Sequence, residues 1–196
     1  MISEQQFANS AKSLNVEVAA IKAVAEVESS GEGFLSDGKP KILFEPHIFW
    51  KQLRAKGIDP TIFMEENADI LYPKWKSGAY GPVSKQHERF ERASKINREA
   101  ALLSASWGKF QIMGFNWKAC GAASLQEFID DMFRNEDGHL NRFTVYIKNT
   151  FLDDELRGHD WAGFARGYNG PEYIKNRYDT KLKLAYEKFK KQVPVI

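Results

Sequence analysis

The sequence predicts a mostly α protein with at most a short β-hairpin. Apolar residues recur at three- and four-residue spacing over most of the chain, strand-like alternation is scarce, and helix breakers gather in one stretch. Ser3 followed by Gln6 has the form of a capping box, and Phe7, Ala11 and Leu14 continue at helical spacing, so a first helix is expected over about 3 to 13. A second is expected over 16 to 30. At roughly 100° per residue, Leu14, Val18, Ile21, Val24, Ala25 and Glu28 fall on one face, and Gly31 and Gly33 end the helix. A hairpin is expected near 34 to 44, then a helix over 44 to 56. Between about 57 and 82, three prolines and three glycines mark a loop-rich insertion. Further helices are expected over 86 to 103, 124 to 135, 139 to 149, 160 to 166 and 180 to 192.

With 196 residues, 43% of them apolar, the chain has material for one substantial core, and a single domain over 1–196 is expected. Its 28 Lys and Arg against 26 Asp and Glu give a formal charge of +2, too mildly basic for general nucleic-acid binding. The single cysteine, Cys120, cannot form an internal disulfide, so folding in a reducing compartment is expected. The amino terminus lacks the basic region and apolar run of a signal peptide. His47, His87, His139 and His159 show no metal-binding spacing. An EF-hand centred on Gly138 would start at Phe133 and end at Thr144, and so fails. No phosphate loop or nucleophile elbow is present, and neither metal nor cofactor is expected.

The stretch AVAEVESSGEGFLSDG, residues 23 to 38, carries the carboxylates of interest. Glu26 falls on the outer side of its helix, one turn after Lys22, where an exposed i,i+4 pair is expected. Glu28 falls on the apolar face, where burial disfavours the charged form and raises the pKa. Such a group serves either as a general acid or as one member of a buried structural network.

Two more stretches, SASWGKFQIMG at 104 to 114 and GYNGPEY at 167 to 173, bear on that choice. In order, ESSG at 28 to 31, GKFQIM at 108 to 113 and YNGP at 168 to 171 resemble the three motifs of goose-type lysozyme and lytic transglycosylase domains. The whole chain, including ILFEPHIFW at 42 to 50, is most similar to the N-acetylmuramidase family common in endolysins of phages and prophages of Gram-negative bacteria. The resemblance implies a lysozyme-like, two-lobed α fold with a sugar-binding groove, and since no linker is visible in the sequence no separate cell-wall-binding module is expected. It also implies action as a monomer on the β-1,4 bond between N-acetylmuramic acid and N-acetylglucosamine of peptidoglycan glycan strands. Synthesis in the host cytoplasm is expected from the lone cysteine and the absence of a signal-peptide pattern, and the resemblance adds action in the periplasm on the cell wall after release. Glu28 then matches the proton donor, and Gln111, Tyr168 and Asn169 match residues lining the sugar groove. Phe110 or Trp107 could cover a sugar ring, or simply pack. Two departures, the 83 positions between Glu28 and Gln111 and the glycine at 167 where alanine is usual, favour an endolysin-type muramidase over a housekeeping transglycosylase.

Glycoside hydrolysis ordinarily needs a second carboxylate, at about 5 Å as nucleophile or about 6.5 to 9.5 Å as base. Asp37, nine residues after Glu28, has the spacing of the aspartate in phage lysozymes that use Glu, Asp and Thr, although SDGKP also reads as a plain turn and no threonine follows before Thr61. Glu45 is the runner-up, with helix capping or an arginine pair as its alternative roles. Without a second carboxylate, the 6-hydroxyl of the sugar closes on the anomeric carbon, as in a lytic transglycosylase. A non-catalytic glycan-binding relative is the third reading. At the carboxy terminus, Leu182, Ala185, Tyr186, Phe189 and Val193 lie at helical spacing among lysines, which reads as a packed final helix or as a contact for an anionic outer-membrane surface.

Overall fold

The computed structural model describes residues 1–29, 32–76 and 78–192. Ser30 and Gly31, at the end of the expected second helix and of the ESSG stretch, lie outside the described residues, as does Val193. The first helix, α1 (Glu4–Leu14), begins at the expected capping box, in which Ser3 Oγ accepts from Gln6 N at 3.3 Å and Gln6 Oε1 accepts from Ser3 N at 2.7 Å. The second, α2 (Val18–Ser29), is rich in alanine. Ala19, Ala20, Ile21, Ala23, Val24 and Ala25 are all buried, because small side chains let α1 and the last helix approach α2 closely.

The expected hairpin near 34 to 44 forms only a bridge between Phe34 and Pro40. Strand β1 (Ile42–Phe44) pairs instead with β2 (Ala105–Trp107), which in turn pairs with β3 (Ile112–Met113), all antiparallel. Ile42, Trp107 and Ile112 face the core, while Leu43, Ser106 and Met113 share the opposite face. The sheet is thus assembled by long-range pairing, which no local periodicity reveals.

Helices α3 (Pro46–Ala55), α5 (Gln86–Leu103), α6 (Leu125–Arg134), α7 (Glu136–Asn149), α9 (Trp161–Asn169) and α11 (Tyr178–Lys190) answer to expected ones within a few residues. The structure adds α4 (Met64–Asn67), α8 (Asp153–Arg157) and α10 (Tyr173–Asn176), each too short to show a period. Asn97 departs from helical geometry inside α5 (φ −157°, ψ 109°), and its side chain accepts from Ala100 N, restarting the helix. The loop-rich stretch is fastened by two buried side chains of α5. Arg89 donates to the carbonyls of Tyr80 and Asp69, and Gln86 donates to those of Tyr80 and Pro82 while accepting from Phe44 N of β1. Among the described residues, no helix is long and apolar enough to cross a membrane.

Candidate active site

Glu28 occupies the last turn of α2, on the face the helical phase predicts, and is half-buried. Burial pushes its pKa up to about 7, against the opposing pull of Asn169 and Lys181. Asn169, at the end of α9, donates from Nδ2 to Glu28 Oε1 at 3.0 Å. Its Oδ1 is buried without a hydrogen-bond partner among the described residues, an open acceptor beside the carboxyl. The phenols of Tyr168 and Tyr178 are raised first by burial and then by the Glu28 charge, which places both rings around the same carboxyl. Lys181 lies 5.4 Å from the centroid of the Tyr178 ring, one turn further along α11.

Tyr168 joins this centre to the second motif. Its hydroxyl donates to Phe110 O at 2.7 Å, and its ring stacks on Phe164 and meets Phe143 and Tyr146 edge-on. The donor is therefore committed to the protein, and the oxygen lone pairs are what remain for a ligand. Gln111 is braced in the same manner. Its backbone is left-handed (φ 49°), Oε1 accepts from Ser106 Oγ at 2.8 Å, and Nε2 donates to Gly108 O at 2.8 Å. It lies over the sheet face of Leu43, Ser106 and Met113, so residues 110 and 111 connect that face to Tyr168 and Glu28.

Several alternatives left open by the sequence have definite surroundings here. Trp107 and Phe110 are each 1% exposed and cover no sugar. Trp107 donates from its indole to Leu102 O and packs edge-on to Phe90, and Phe110 stacks on Phe143 at 4.3 Å. Glu26 is exposed as expected, but its partner is Lys188 of α11, because Lys22 turns to Glu4 of α1 at 2.6 Å. Asp37 is exposed in the turn between Phe34 and Pro40, with Oδ1 accepting from Lys39 N at 3.1 Å.

Glu45 sits in a different setting. Its extended backbone (φ −106°, ψ 92°) continues β1, with Glu45 N donating to Ser104 O, so its side chain alternates to the side of Leu43. Its backbone starts α3 while its side chain makes no capping bond. The carboxylate instead accepts from Tyr80 hydroxyl at 2.6 Å and lies 3.3 Å from His47 Nδ1. Burial raises its pKa, countered by the Tyr80 bond and by the charge of Arg89. Trp75, 58% exposed, adjoins Tyr80. Tyr178, Lys181, Tyr80 and Trp75 carry no sequence motif. Only the basic, amphipathic character of the last helix hinted at Lys181. Among the described residues, no cluster of three His, Cys, Asp or Glu side chains could hold a metal ion.

The arrangement is that of a half-buried acid beside amide and phenol groups suited to a polar, uncharged ligand. Comparison with curated protein sequences finds no match. Among solved structures, the crystal structure of the Burkholderia AP3 phage endolysin superposes with a TM-score of 0.87 at 37% identity, over 97% of this chain and 72% of that one. The family described as N-acetylmuramidase matches residues 17–190, a span that takes in Glu28, Gln111, Tyr168 and Asn169. The chain belongs to the N-acetylmuramidase family and is a peptidoglycan-degrading muramidase of lysozyme-like fold.

Proposed function

We propose that the chain hydrolyses the β-1,4 bond between N-acetylmuramic acid and N-acetylglucosamine, with Glu28 giving its proton to the glycosidic oxygen. The observation that carries this reading is a carboxyl with a pKa near 7 at the end of a largely buried helix, bonded to the side-chain amide of Asn169. A general acid works best when its pKa lies near the working pH, and burial supplies that. As the proton leaves, negative charge develops on Glu28, and Asn169 Nδ2 and Lys181 stabilise the ionised form more than the neutral one. The open Asn169 Oδ1 suits the N–H of an acetamido group or a sugar hydroxyl. Gln111 and Tyr168 hold the groove lining in register.

For the second carboxylate, the setting of Glu45 favours it over Asp37. Glu45 is sheltered, oriented by Tyr80, and on the sheet face that Gln111 overlies, whereas the Asp37 carboxylate is turned into its own exposed turn. A carboxylate placed to activate water makes the enzyme a hydrolase rather than a transglycosylase.

Digestion of purified peptidoglycan followed by mass spectrometry tests the reading. Reducing N-acetylmuramic acid ends are expected, and 1,6-anhydromuramic ends would overturn the hydrolase assignment. Glu28→Gln should slow turnover by about a thousandfold. Glu45→Gln should cost about a hundredfold while Asp37→Asn stays within about threefold, and the reverse pattern assigns Asp37.

A further inference from the structure

The polar cluster at the start of α7 lies outside the three motifs and nearly out of solvent. Glu136 is 7% exposed and His139 1%. Glu136 Oε1 accepts from Gly33 N at 2.7 Å and from Lys109 Nζ at 3.2 Å, and its Oε2 lies 3.8 Å from the amino terminus. Burial alone would raise its pKa, but the Gly33 amide and the Lys109 ammonium outweigh that effect and hold it below the usual carboxylate range. Glu136 is therefore ionised, and both hydrogen bonds are charge-assisted.

One turn on, His139 Nδ1 accepts from Lys109 N at 3.0 Å and Nε2 donates to Met132 O at 2.7 Å, which requires the neutral ring with its proton on Nε2. Phe34 stacks on this ring at 5.0 Å and 16°. The ring lies between two glycines. A Cβ on Gly33 would stand 2.8 Å from His139 Nδ1, and one on Gly108 would stand 2.8 Å from the same ring, with Gly108 also left-handed (φ 69°). Gly33 and Phe34 follow Glu28 in the chain, and Gly108 and Lys109 open the second motif, which contains Gln111. Among the described residues, the hydrogen bonds of Glu136 and His139 run to Gly33, Lys109 and Met132 rather than to Glu28, Tyr168, Asn169 or Lys181.

We propose that Glu136 and His139 are positioning residues for the reaction: together they clamp Gly33 and Phe34 against the second-motif loop, and so keep Glu28 in its sheltered setting beside Asn169. The proposal rests on Glu28 being the acid, and it deepens that reading by naming what fixes the acid in place. A charged hydrogen bond and a stacked ring hold Gly33 and Phe34, while among the described residues Asn169, Lys181, Tyr168 and Tyr178, which act on Glu28, come from α9 and α11. The groups that face His139 are Glu136 on its own helix and Lys109 opposite.

The test compares Glu136→Gln, which keeps an acceptor for Gly33 N, with Glu136→Ala, which removes it, and adds Gly33→Ala, which forces the His139 ring to shift. The pKa of Glu28 is followed by carbon NMR of labelled glutamate and by the alkaline limb of the activity profile. In Glu136→Gln, which keeps the acceptor but loses the charge, kcat and the Glu28 pKa should move in the same direction as in Glu136→Ala but by less. In Glu136→Ala and Gly33→Ala, kcat should fall by about tenfold or more at a little-changed KM, and the Glu28 pKa should move down from about 7 by about one unit as water gains access. A merely structural cluster would lower the melting temperature of the folded variants and leave the Glu28 pKa and the alkaline limb in place, which overturns the proposal. If Glu136→Ala does not fold, Gly33→Ala carries the same two readouts. The NMR pKa separates the two levels of the argument. A shifted Glu28 in an enzyme that tolerates Glu28→Gln would defeat the acid assignment while leaving the clamp intact.

Discussion

At the residue scale, Glu28 is tuned at the expense of stability. Its pKa is raised on folding, so the folded state holds this proton more tightly than the unfolded chain does. The associated stability is fully present below the unfolded pKa of 4.5 and is lost as pH rises through about 7. Glu28→Gln is therefore expected to be inactive and yet more stable than the parent by up to about 3 kcal/mol at about pH 8, the gain vanishing below about pH 4.5. Urea denaturation across that range measures it, and a gain that grows toward acid pH would contradict the sign. Lys181 acts in the opposite direction, favouring the ionised acid. Lys181→Met should raise the Glu28 pKa further and carry the alkaline limb of kcat to higher pH, whereas a limb moving down would mean that Lys181 does not face the carboxyl. Helical phase alone marked Glu28 as inward-facing. The same phase could not show that Glu26 would choose Lys188 over Lys22, because that choice depends on where α11 lies.

At the element scale, α11 serves as a wall of the site and as a core helix at once. Leu182, Ala185 and Tyr186 are buried against the rest of the core, Lys181 faces Glu28 and Lys188 pairs with Glu26. Its apolar stripe is thus occupied, and removal of the helix would unmake the fold rather than isolate a surface function. We propose that the helix contacts an anionic outer-membrane surface through its outward lysines Lys183 and Lys191. The double change Lys183→Glu and Lys191→Glu should then weaken salt-sensitive binding to anionic vesicles and spare digestion of purified peptidoglycan, and equal loss in both assays refutes the idea. The loop-rich stretch supplies the other element of interest. Trp75 is exposed beside Tyr80 and Glu45, a placement suited to covering a sugar face. Trp75→Ala is expected to raise KM about fivefold with kcat little changed, and a change in kcat alone would place the residue elsewhere in the reaction. Long helices were readable because eight or more residues display a 3.6 period and their caps. The short α4, α8 and α10 display none.

At the scale of the whole molecule, one helical body brings together residues from opposite ends of the chain, Glu28 on α2 with Asn169 on α9 and Lys181 on α11. The sequence by itself determined the mostly α class, most helix positions, the capping box at Ser3 and the inward face of Glu28. Each of these follows from neighbours within a few turns, where propensity and periodicity act locally. The three short motifs, read in order, also sufficed to point to the muramidase family. Only the tertiary structure decided that β1 pairs with β2 rather than with its own hairpin, that Trp107 and Phe110 pack, that Asp37 stays in its turn while Glu45 is sheltered by Tyr80, and that Glu136 and His139 bond to Gly33 and Lys109. The physical reason is that these arrangements are set by burial and by hydrogen-bond partners tens of residues away, and a carboxylate takes its chemistry from such surroundings rather than from its neighbours in sequence.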